Sequence, residues 1–203
     1  VLSNILGNFI SVGFFALIVV FQQEIRKFLL LIGSTNFASR RNVFKYFNFL
    51  SQDKSLLKLN LSILLSSCEK MASEKTGAII VLERENSLEF VRETGEKTNI
   101  ELTKEILETI FFKNSPLHDG AIILKGNYIK ATRVVLPVSE SSSIPTRFGL
   151  RHRAGFGITE KTDALAIVIS EQRGKISYIK NGEFYSFKNI DDLRIIITED
   201  LLI

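Results

Sequence analysis

The chain of 203 residues has one cysteine, two histidines and none of the common nucleotide or hydrolase signatures. The lone Cys68 excludes a disulfide framework and a cysteine-based zinc site within the chain. It reads as a small buried hydrophobe and fits a reducing compartment. No GxxxxGK[ST] and no GxGxxG occurs, so neither a P-loop nor a Rossmann fingerprint is present. GxSxG and HExxH are missing too, which removes two widespread hydrolytic arrangements. There is no internal repeat and no low-complexity stretch. Long runs of one charge are also absent. With 26 basic and 22 acidic residues the formal charge is +4. That is weak support for an anionic partner and no basis for nucleic-acid binding.

The other absence is local: Val1–Gln23 carries no charged residue, and Glu24 is the first. As a helix, Val1–Phe21 spans roughly 31 Å, about one bilayer core. Ser3, Asn4, Asn8 and Ser11 dilute its first half, so a buried core helix fits as well as a transmembrane one. A signal peptide fits less well, since no basic residue precedes the run and no small-residue cleavage site follows it. Arg26, Lys27, Arg40, Arg41 and Lys45 follow. If the run spans a membrane, these residues orient the downstream part to the cytosol. The chain starts with Val, as a fragment of a longer membrane region would. Residues 1–31 thus form the expected transmembrane and juxtamembrane helix. Residues 32–54, basic and aromatic beyond the break at Gly33–Asn36, form an expected linker helix.

What is present is a sizeable globular part, residues 55–203, in a chain that is 45% hydrophobic. Leu56, Leu59, Ile63, Leu64, Cys68 and Met71 recur at helical spacing, which predicts a helix over 55–72. Ala78–Leu82 is a buried strand and Leu88–Val91 a short partner strand. Leu102, Ile106, Leu107, Ile110 and Phe111 line a second helix that ends before Pro116. Ala121–Leu124 and Tyr128–Leu136 form a hairpin about Gly126-Asn127. Arg147–Phe156 reads as a short helix. Ala164–Ile169, Ile176–Ile179 and Phe184–Phe187 read as strands, and Ile190–Ile203 as a terminal helix or strand. The fold class is α/β or α+β, a mixed central β-sheet flanked by helices.

Two stretches concentrate the chemistry, and each holds one of the histidines. In Ser115–Leu124, His118 and Asp119 sit in a turn that enters an apolar strand. Asp-Gly is a common turn dipeptide, so the pair reads either as a turn or as a site. An ionised Asp119 at a strand end can orient a divalent ion or accept a proton from a hydroxyl. Gly120 would let a ligand approach the backbone closely. In Phe148–Gly155, Arg151, His152 and Arg153 follow Gly149. Three basic residues form a solvated run or an anion clamp. A helix start and two guanidiniums favour the clamp, because Arg holds phosphate oxygens with paired bonds. Ser170-Glu171-Gln172 ends a strong strand and can add phosphate and metal contacts. The residues alone support binding of a phosphorylated nucleotide.

The segments LHDGAIIL, VLPVS, GLRHRAGFGITEKTDALAIVISE and GKIS, in that order, resemble the DisA N-terminal-type (DAC) domain of diadenylate cyclases. LIVVFQQEIRKFLLLIG is similar to the end of the membrane region in the CdaA type, so the likeness covers nearly the whole chain. The resemblance implies condensation of two ATP into cyclic di-AMP, a bacterial second messenger, with release of two pyrophosphates. It implies two domains meeting face to face, each holding one ATP. It assigns catalysis to Asp119, Arg151 and Arg153, and nucleotide contacts to Gly120, Ala121, Leu136, Arg151, His152, Arg153, Ser170 and Glu171. It implies Mg²⁺ or Mn²⁺ on His118 and Asp119. It also implies a cell-membrane location with the catalytic domain in the cytoplasm, and a regulatory membrane protein as a possible partner. Two positions depart from the family pattern: Leu150 where Thr is frequent, and Gln172 where a second Glu is frequent. They motivate an alternative, a catalytically impaired nucleotide-binding module of the same fold.

Overall fold

The computed structural model describes residues 59–141, 144, 145 and 147–202. The expected membrane helix (1–31) and linker helix (32–54) lie outside them, as does the start of the helix expected over 55–72. Among the described residues no helix is long and apolar enough to cross a membrane.

The elements run α1 (Leu61–Ser73), β1 (Ala78–Leu82), α2 (Glu89–Arg92), β2 (Glu96–Glu101), α3 (Lys104–Phe111), β3 (Ala121–Lys125) and β4 (Tyr128–Val134). They continue through α4 (Leu150–Lys161), β5 (Leu165–Ile169), β6 (Ile176–Lys180), β7 (Glu183–Tyr185) and α5 (Ile190–Leu202). One seven-stranded sheet has the order β2-β4-β3-β1-β5-β6-β7. Only β1 and β3 pair in parallel; every other neighbouring pair is antiparallel. The expected mixed sheet flanked by helices is what forms.

Both faces of the central strands are covered. Ile80, Leu82, Ile122, Leu124 and Ile167 pack with Leu64 and Cys68 of α1, Leu107 and Phe111 of α3, and Leu193 and Ile197 of α5. Ile79, Val81, Ala121, Ile123, Ala166 and Val168 face the other way, onto Phe156 and Ile158 of α4 and Leu88 and Val91. Double-sided burial explains why β1 and β5 read as unbroken apolar runs instead of alternating ones. The thiol of Cys68 is pushed up to about 12, chiefly by burial, so it is an inert core atom. Asn60 caps α1 by accepting from the Ile63 N–H at 3.2 Å, and Thr103 caps α3 by accepting from that of Ile106 at 3.3 Å.

Three expectations change. Leu88–Val91 is not a strand: its two buried residues, Leu88 and Val91, are three apart and cover one side of the short helix α2, while Phe90 is exposed. The partner strand is Glu96–Glu101, whose side chains are almost all exposed. Backbone pairing with β4 holds this polar edge, so no apolar alternation marks it. Tyr128–Leu136 stops as a strand at Val134, and the following residues leave the sheet to run along α4. That helix starts at Leu150 and continues to Lys161, past the predicted end.

Candidate active site

The turn before β3, the residues after β4, the start of α4 and the turn after β5 surround a cavity of about 750 Å³. Because β1 and β3 are parallel and β5 runs against them, the cavity lies at the amino ends of β1 and β3 and the carboxyl end of β5. The carboxyl-end rule for parallel α/β sheets therefore does not place this site. The one parallel pair is embedded among antiparallel neighbours, and the turn before β3 opens at the other end.

Asp119, Gly120 and Ala121 line one wall. Asp119 is exposed to the cavity mouth. Gly120 has φ +129°, and a Cβ there would lie 2.6 Å from the carbonyl carbon of Arg133. It is needed for contact with the irregular part of β4, where Arg133 itself has φ +53°. Its small size thus serves a close approach of backbone to backbone, and the residue also lines the cavity. Leu136 and Val138 add apolar surface, and Ser170, Glu171 and Gln172 close the far wall.

Helix α4 begins at the cavity with Gly149 as its N-cap and no side chain bound to its first N–H groups. Its amino end is therefore open to an anion. Arg151 lines the cavity, and its Nη1 donates to Glu171 Oε2 at 2.9 Å. Arg147, Arg173 and Lys175 line the same space, so four cations face the carboxylates of Asp119 and Glu171. Sequence reading missed these three. Arg173 and Lys175 belong to the tight turn joining β5 to β6, where the Gly174 N–H donates to Ser170 O at 2.8 Å. A turn directly after a buried strand was the signal available for them.

The three consecutive basic residues divide. His152 is 5% exposed, stacks on Phe148 with ring centroids 4.6 Å apart, and its Nε2 lies 3.2 Å from Ser177 Oγ. Burial lowers its pKa to about 4, so the ring is neutral near pH 7 and brings no charge to a phosphate. Arg153 is not in the cavity lining; its Nη1 donates to Ser139 O at 3.3 Å. Arg151 alone of the three brings a charge to the cavity wall.

His118 also lies outside the lining. Its Nδ1 is 2.6 Å from Ser115 O. A carbonyl only accepts, so Nδ1 donates to it, and Nε2 is the nitrogen left to face a ligand. A backbone carbonyl on the second nitrogen is the usual support of a metal-bound imidazole. Among the described residues no group of three His, Cys, Asp or Glu side chains is placed to hold an ion. His118 and its neighbour Asp119 carry the donor atoms a divalent ion takes, but two side chains alone do not complete a coordination shell.

A cavity with an open helix end, four cations and two exposed carboxylates is suited to an anionic phosphate ligand. Residues 65–184 match the family described as DisA bacterial checkpoint controller nucleotide-binding. The chain belongs to this family. It is 36% identical over 184 residues to the cyclic di-AMP synthase CdaA of Bacillus subtilis, covering 91% of this chain and 64% of that protein. It is 35% identical over 190 residues to a diadenylate cyclase of Listeria monocytogenes, covering 94% of this chain and 67% of the relative. The chain therefore spans about two thirds of the length of these relatives. Among solved structures it resembles DacA from Staphylococcus aureus in a double-mutant form (TM-score 0.67, 34% identity, 70% of this chain and 94% of that one). A hypothetical membrane-spanning protein from Bacillus cereus is also similar (TM-score 0.62, 28% identity, 91% and 96%).

Arg151→Ala is expected to weaken ATP binding at least about tenfold, the loss of a charge-assisted contact. Adenosine binding should change little. Calorimetric titration of both ligands checks this, and equal losses would make Arg151 a structural residue.

Proposed function

We propose that this chain is a diadenylate cyclase that condenses two ATP into cyclic di-AMP and two pyrophosphates. The observation that carries the proposal is one cavity lined by both Asp119 and Arg151, in a chain of this family. Asp119 accepts the proton of the ATP 3′-hydroxyl as that oxygen bonds to the α-phosphorus of the other ATP. The bond from that phosphorus to the bridging oxygen breaks, and pyrophosphate leaves. Arg151 and the open N–H groups of α4 hold the phosphates in line and stabilise the negative charge. Leu136, Val138 and Ile79 offer the apolar surface for adenine, and Ser170 a hydroxyl for phosphate. A divalent ion, Mg²⁺ or Mn²⁺, held by His118 and Asp119 would neutralise phosphate charge. Gln172 also lines the cavity but is neutral, so it adds no carboxylate to that shell.

The cyclase is further proposed to act as a face-to-face homodimer, tethered to the membrane through residues 1–31. The likeness to a hypothetical membrane-spanning protein of B. cereus supports the tether. Incubation of the chain with ATP and Mn²⁺ or Mg²⁺, followed by mass spectrometry, tests the reaction. Cyclic di-AMP is expected, and ATP bound but unconverted with either metal would overturn the proposal in favour of a binding module.

Metal use has its own test. His118→Ala is expected to raise the Mn²⁺ concentration for half-maximal activity at least roughly 10- to 100-fold, since loss of a mere outer partner of a ligand already has that effect. An identical metal titration would remove His118 from the coordination shell.

A further inference from the structure

The segment after β4 carries part of the cavity wall, and something must hold it in place. Leu136 and Val138 line the cavity, on either side of Pro137. The segment lies against α4 at Gly157, where a Cβ would be 2.2 Å from Pro137 O and 2.9 Å from Ser139 N. Only glycine at that helical position permits such an approach.

Ser139 is the point of attachment. It is 4% exposed. Its N–H donates to Arg153 O at 3.0 Å, its carbonyl accepts from Arg153 Nη1 at 3.3 Å, and its hydroxyl donates to Glu160 Oε1 at 2.6 Å. Arg153 thus meets Ser139 twice, once through backbone and once through side chain. Arg151, two residues earlier, lines the cavity, and Arg153 does not.

We infer that Arg153 is a positioning residue: it staples the Leu136–Ser139 segment to α4 and so sets the apolar wall, leaving phosphate binding to Arg151. This rests on the proposed nucleotide site. The inference changes what Arg153 should do to ligands. A phosphate-binding arginine matters for ATP and not for adenosine. A staple under the apolar wall matters for both to the same degree, since both carry the adenine that the wall receives.

The test is calorimetric titration of ATP and adenosine into the wild-type chain and the Arg153→Ala, Arg153→Lys, Ser139→Ala and Arg151→Ala variants, with melting curves for each. Arg153→Ala is expected to weaken both ligands by the same factor, about tenfold, for one lost bond from a charged donor. Arg153→Lys should restore most of this, because a single ammonium donor suffices for one carbonyl. Ser139→Ala removes the Glu160 bond and the acceptor of the Ser141 N–H without touching Arg153, and should give a smaller but again equal loss. It reports on the segment even if Arg153→Ala fails to fold. Arg151→Ala should affect ATP alone. An Arg153→Ala variant that loses ATP affinity but keeps adenosine affinity would make Arg153 a phosphate ligand and overturn the inference. Unchanged binding of both ligands would overturn it as well. A wild-type chain that binds neither ligand would instead defeat the nucleotide-site proposal, a result distinct from either of these.

Discussion

Asp119→Asn is expected to leave a folded protein that binds ATP but forms product at least ~10²-fold more slowly, the low end for a positioned acid–base group. The geometry explains why the two effects separate. Asp119 is exposed at the cavity mouth and forms no hydrogen bond or ion pair with another described residue. Losing its charge therefore costs the fold little, within about 0.5 kcal/mol for a surface position of this kind. Asn is nearly isosteric and as well suited to the turn before Gly120. What disappears is the carboxylate proposed to take the hydroxyl proton and, with His118, to hold a metal ion. Melting curves, ATP titration and initial rates on the same preparation check this. A folded variant with the wild-type rate would take Asp119 out of the chemistry.

The strands at the centre were legible in the sequence because they are buried on both faces. Ala78–Leu82 and Leu165–Ile169 have no polar residue to misplace. The edges were not legible. Strand β2 is polar because one edge of the sheet is held by backbone pairing, and α2 is too short for a period to establish itself. At the site, Asp119, Gly120 and Ala121 were found by their motif, and they do line the cavity with Leu136, Arg151, His152, Ser170 and Glu171. The motif also grouped side chains that the helix separates. Residues 151, 152 and 153 point roughly 100° apart around α4. Arg151 therefore brings its charge to the cavity, His152 lines it as a ring packed with Phe148 and Phe184, and Arg153 turns away to the segment at Ser139. Residue type carried no sign of that division. Arg147, Arg173 and Lys175 were missed because each looks like an ordinary surface charge until the turns bring them to one cavity.

Specific activity is expected to rise with enzyme concentration in protein lacking residues 1–31, and dilution should abolish product before it unfolds the domain. One cavity brings one Asp119 and one Arg151, whereas closing the ring takes two hydroxyl attacks on two α-phosphorus atoms. In the proposed reaction a monomer therefore lacks half of the groups needed. The cavity rim gives a second copy something to cover: Val135, Val138 and Leu150 are 67%, 49% and 76% exposed. Leu150, where the family often has Thr, thus exchanges a hydroxyl for exposed apolar surface. Well below the dimer dissociation constant, a tenfold dilution should lower specific activity roughly tenfold by mass action. Tethering to a membrane through residues 1–31 would raise the local concentration and flatten that dependence. Mixing Asp119→Asn with Arg151→Ala protein should not restore full activity, because both half-reactions need both intact sites. Rates measured across a dilution series, with light scattering on the same samples, decide the matter. Specific activity independent of concentration in a species that scatters as a monomer would exclude a two-site mechanism.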